Sequence, residues 1–131
     1  MSGLLALNFY SPLFVDQLKR GRKTATIRLG NKSGKYQRSQ IVWVTVGSRH
    51  SRREKIFSAV IDEVEVKRLS ELSPRDIERD NPEFRRLEET KDFLEKIYDR
   101  PIEDDAIVTV LHFSQIVEPG LTGYGTVPSP N

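Results

Sequence analysis

A chain of 131 residues, 37% apolar and 31% charged, is long enough for one domain and predicts a modest core beneath a charged exterior. It has no cysteine, which excludes disulfides, thiolate metal sites and a cysteine nucleophile, and agrees with a reducing compartment. The formal charge is only +2, yet residues 19–55 hold 12 Lys or Arg against a single acid, Glu54, whereas residues 56–131 hold 9 basic and 17 acidic side chains. That division predicts a face suited to phosphates; the alternative is solvated loop charge balanced by acidic neighbours in the fold. No run reaches the length of a membrane helix, and Met1-Ser2-Gly3-Leu4-Leu5 lacks a basic n-region and a cleavage pattern. The expectation is a soluble, cytoplasmic protein with no membrane partner.

In chain order, residues 4–9 form a short apolar run and read as a first, mostly buried strand. Ser11-Pro12 then predicts a helix over 12–20, with Leu13, Phe14 and Leu18 inward and Lys19 and Arg20 at its negative end. Gly21 stops it. The segment Gly21-Arg22-Lys23-Thr24-Ala25-Thr26-Ile27-Arg28 reads as a turn entering a strand at Thr24. Alternation places Thr24, Thr26 and Arg28 on one polar face and Ala25 and Ile27 on a buried one, a plausible floor for a polar ligand.

Residues 29–40 are polar, contain two glycines and predict a loop over the site or beside it. Residues 41–47 and 55–66 predict an antiparallel pair, with a slip near Asp62 that suggests a bulge or bend. The basic connection between them holds Arg49, Arg52 and Arg53. Ser73-Pro74 opens a second helix to about Arg79, and Asn81-Pro82 precedes a third over 83–98 with Phe84, Leu87, Leu94, Ile97 and Tyr98 on one stripe. Residues 106–113 form a last strand, apolar on both faces and so central. Residues 118–131, rich in Pro and Gly, read as a tail outside a domain of residues 1–117. Five strands and about three short helices make an α+β domain, a small curled antiparallel or mixed β-barrel. An open sheet with helices on one face is the alternative.

The order of helix, Gly-Arg-Lys-Thr-Ala-Thr-Ile-Arg, β pair, Leu69-x-x-Leu72, helix ending near Tyr98 and last strand resembles the ASCH domain, a branch of the PUA-like barrels. The resemblance spans residues 4–117 and is most specific at 21–28. It implies a barrel that binds RNA or a nucleotide in a cleft beside that segment. A group of small bacterial N-acetylcytidine amidohydrolases carries a nearly identical Gly-Arg-Lys-Thr-x-Thr-x-Arg stretch. By that likeness Lys23 takes the place of the essential lysine and Thr26 that of the nucleophile. The essential glutamate falls near Asp80, where this chain offers Glu78 and Asp80. An aspartate is one methylene shorter, and Ser39-Gln40 replaces the Gly-Asp turn common in the family; both departures weaken transfer of the activity more than of the fold.

The chemistry has a geometric condition. A threonine needs a base to remove its proton, and a lysine in an apolar or cationic setting can serve. Lys23 and Thr26 differ in parity, so an unbroken strand would send them to opposite faces; they converge only if the chain is irregular at Lys23. Packing alone also accounts for threonines in a strand. His50 and His112 stand apart with no ligand spacing, so neither a metal nor another cofactor is expected. Tyr36, in a basic loop, is the candidate for stacking on a base, whereas Trp43 reads as core.

Three functions remain open. The first is a binder of RNA or a modified nucleoside, with Lys23, Thr24, Thr26 and Arg28 as floor and Arg22, Lys35, Arg49, Arg52 and Arg53 as rim. The second is an amidohydrolase using Lys23, Thr26 and Asp80. The third is a protein-interaction adaptor presenting the acidic helix of 83–98.

Overall fold

A computed structural model describes residues 5–48 and 52–117. The spine of the fold is a 15-residue strand, β4 (Glu54–Arg68), which pairs antiparallel with β3 (Ile41–Val46) on one side and β5 (Ile107–Gln115) on the other. Outside these lie β1 (Leu5–Phe9), parallel to β3, and β2 (Ala25–Leu29), antiparallel to β5, giving the order β1-β3-β4-β5-β2. The mixed sheet curls into a half-barrel. Arg28 of β2 reaches across the gap and donates from Nη2 to the carbonyl of Asn8 on β1 (2.9 Å), tying the two edge strands together.

Three helices complete the α+β domain: α1 (Phe14–Lys19), α2 (Pro74–Asp80) and α3 (Leu87–Tyr98). Ser73 caps α2 by a reciprocal pair, its hydroxyl accepting from the Asp76 amide and its amide donating to the Asp76 carboxylate, each at 3.0 Å. At the start of α3, Glu89 accepts the amides of Arg85 and Arg86, and Asp99 in the left-handed region ends the helix. The sheet divides two cores. Leu111 and Phe113 of β5 join Leu7, Phe9, Phe14 and Leu18 inside the curl, while Val108 and Val110 join Ile27, Ile77 and Leu94 beneath α2 and α3.

The strand pair 41–47 with 55–66 forms as expected, and the slip near Asp62 is a register shift between Ile61 and Glu63. β5 is interior, with neighbours on both sides. Several expectations need correction. Strand β2 starts at Ala25, leaving Thr24 in the turn. Helix α1 is shorter than 12–20; Leu13 is its N-cap and is 83% exposed rather than inward. The third helix begins at Leu87, because residues 82–86 form a turn followed by irregular chain, and Ile97 faces solvent. Trp43 is 41% exposed, not core; it alternates with the buried Val42 and Val44 and points away from the curl.

The loop 29–40 does not lie over the candidate site. It joins the end of β2 to the start of β3, at the opposite end of the sheet from Lys23. Tyr36 on that loop is 4% exposed, packs in the inner core and donates its hydroxyl to the Ala6 carbonyl at 3.1 Å. A ring so placed holds the loop down and offers no face to a base. The proposed tail of 118–131 lies outside the described residues, as does Arg49.

Candidate functional site

The site begins with the break after α1. Gly21 adopts φ +72°, a conformation cheap only without a Cβ, and the amides of Arg22 and Lys23 both donate to the Gln17 carbonyl. This irregular turn frees Lys23 from strand alternation, although its ammonium bonds to Ala25 and Asp80 and not to the Thr26 hydroxyl. Lys23 folds inward, 2% exposed, between the rings of Phe9 (5.1 Å) and Phe14 (4.7 Å). All three of its protons have acceptors: the Ala25 carbonyl at 3.1 Å, the Asp80 carbonyl, and the Asp80 carboxylate at 3.1 Å. The same Asp80 oxygen accepts the Ile27 amide at 3.1 Å, and the Thr24 amide donates to the Arg79 carbonyl. The end of α2 is thus bolted to the start of β2. Of the two acids offered by the sequence, Asp80 is the one delivered to Lys23; Glu78 is exposed.

Burial pushes the Lys23 amine below its ordinary 10.5; the Asp80 carboxylate opposes the shift and the Arg28 charge adds to it. Arg28 lies over the Phe9 ring, 5.0 Å from its centroid, and donates from Nε to the Thr26 hydroxyl at 3.0 Å. Thr26 and Arg28 share a face, as alternation requires. Thr26 itself is buried and faces the inside of the curl.

Beside the Lys23 turn opens a cleft of about 370 Å³, with Leu18, Phe57 and Phe113 as apolar wall and Lys23, Thr24, Asp62, Arg79, His112 and Ser114 as polar lining. Of the predicted residues, Lys23 and Thr24 border it; Thr26, Arg28 and Asp80 do not. Arg22 is exposed in the turn next to Lys23. Arg52 and Arg53 are exposed where β4 starts, at the same end of the sheet. Lys35, on the distant loop over the Tyr36 ring, is not part of this rim. Sequence reasoning missed Arg79 and His112. Arg79 stands beside the already suspected Asp80, and His112 belongs to the Val108–Val110 face of β5, so alternation was the available signal.

No family model matches the sequence, and no curated protein matches it either. Solved structures do. An ASCH domain from Lactobacillus crispatus JV V101 superposes with a TM-score of 0.65 at 14% identity, over 86% of this chain and 79% of that one. The fold is that of the ASCH domain. Protein EF3133 from Enterococcus faecalis V583 shares the ASCH-like architecture, with a TM-score of 0.64 at 14% identity over 88% of this chain and 82% of its own. The hypothetical protein PH0355 gives 0.64 at 16% identity over 87% of this chain and the whole of its own. Among the described residues no helix is long and apolar enough to cross a membrane.

Proposed function

We propose that this ASCH-fold domain binds RNA or a modified nucleoside in the cleft beside Lys23. The observation that carries the reading is the cleft itself. Its volume falls in the range of small-ligand sites, with an aromatic wall for a base and Arg79, Thr24 and the outer Arg22 for polar or phosphate groups. Arg52 and Arg53 extend positive charge along the same end of the sheet. The test is equilibrium binding of cytidine, N-acetylcytidine and a short single-stranded RNA at several salt concentrations. Affinity for the RNA is expected to fall steeply with salt and to drop on Arg79→Ala. Absence of binding to all three ligands, or binding untouched by that substitution, would overturn the reading.

A second reading is favoured by one observation, the lowered proton affinity of the sequestered Lys23 amine. A neutral lysine is a base, and the Arg28 proton on the Thr26 oxygen would stabilise an alkoxide there. In an amidohydrolase the Thr26 oxygen would add to the acyl carbon of an acylated cytidine. The cytosine amine would leave with a proton, and water would release acetate from the threonine ester. Thr26 does not border the cleft, so this chemistry requires the wall around Phe9 and Phe14 to open. Acetate release from N-acetylcytidine, abolished by both Lys23→Ala and Thr26→Ala in folded protein, is the expected result. Turnover that survives either substitution would remove the assigned roles.

A further inference from the structure

One cluster of ionisable groups is given no role by either reading, although His112 borders the cleft. Past the register shift at Asp62, β4 turns Glu63, Glu65 and Lys67 to the face covered by α2, and β5 sets His112 directly opposite Glu63. His112 Nε2 lies 3.0 Å from the Glu65 carboxylate and 3.8 Å from that of Asp76. Lys67 is 2.9 Å from Asp76 and 3.6 Å from Glu65. Asp76 is already engaged, since it also accepts the Ser73 amide. Three carboxylates therefore face one ammonium and one imidazole. With the imidazole neutral, two negative charges are left over.

Two features separate this cluster from ordinary surface acidity. His112 is only 8% exposed, and the nitrogen it turns to the carboxylates is Nε2. One ligand atom from each of Glu63, Glu65 and His112 lies within 4.8 Å of the other two.

We propose that Glu63, Glu65 and His112 form a binding site for a divalent cation of the zinc type. One imidazole nitrogen and two carboxylate oxygens are a ligand set that zinc accepts, leaving a fourth position for water. Ligands around tetrahedral zinc stand about 3.4 Å apart, so gathering the three requires side-chain rotation of the exposed Glu63 and half-buried Glu65 alone. The imidazole selects against magnesium and calcium, which need six or more oxygens. A double positive charge also matches the local excess. His112 lines the cleft, so the bound ion would sit on its border. The site is independent of what the cleft binds.

The test is titration of the tag-free, chelator-treated full chain with zinc chloride near neutral pH, followed by calorimetry. One equivalent is expected to bind, and Glu63→Gln and His112→Asn are each expected to weaken binding roughly a hundredfold. His50→Ala should leave it unchanged. If His112→Asn unfolds, the exposed Glu63→Gln decides. No uptake of zinc, or an affinity unchanged in Glu63→Gln, would overturn the site.

Discussion

Helix α2 carries two buried carboxylates one turn apart, and they end in opposite circumstances. Asp80 meets Lys23 in a closed setting: every ammonium proton has an acceptor, and two phenyl rings seal the pair from water. Asp76 meets Lys67 in an open one, where Glu63, Glu65 and His112 leave the charge unbalanced. A saturated pair mainly positions the chain, here holding the site strand to the helix. An unsaturated cluster retains capacity to take up something else.

The largest effect expected from breaking this contrast is at the closed pair. Lys23→Met leaves the Asp80 carboxylate buried with one amide donor, and urea unfolding should show a loss of about 3–5 kcal/mol. A loss below about 1 kcal/mol would mean that the pair is not the anchor, since an ordinary hydrogen bond is worth that much. Asp76→Ala removes the capping partner and the Lys67 contact; a smaller cost of about 1–2 kcal/mol is expected from the same measurement.

Proton linkage sharpens the comparison, because the two sites respond at opposite ends of the pH scale. Lys23 titrates below 10.5 when folded, so over that window the unfolded chain holds more protons. Stability should therefore rise with pH towards 10.5, by at most about 1.4 kcal/mol per unit, and Lys23→Met should lack the rise. At Asp76, burial alone would raise the carboxyl, but the Ser73 amide and Lys67 outweigh it and hold it below 3.8. Its contribution is present above 3.8 and is lost as pH falls through the lowered value, which Asp76→Asn should abolish. The smallest effect belongs to Glu63→Gln. Exposed and outside any cap, it should move thermal stability by no more than about 0.5 kcal/mol while weakening zinc binding roughly a hundredfold.

What the sequence revealed follows the range of each interaction. The register shift at Asp62, the cap at Ser73-Pro74 and the stop at Gly21 rest on neighbouring residues, and they read correctly. Lys23 stood out within its own segment, but its pairing with Asp80 came only through a family likeness, because the contact spans 57 positions and depends on where α2 lands. His112 seemed isolated for the same reason: its partner Glu65 is 47 residues away on another strand. Tyr36 and Trp43 were exchanged, since a polar loop can bury a ring and an apolar strand can expose one. Which of the two happens is set by the curl of the sheet, and the curl is a property of all five strands together.

The placement of Trp43 has a practical corollary. It is the chain's single tryptophan, half in solvent on the outer side of β3 with the Lys55 ammonium 5.3 Å from its ring centroid. The native protein should already emit at the long wavelengths of a hydrated indole. Intrinsic fluorescence will then register denaturation only faintly, and melts are better followed by far-ultraviolet dichroism.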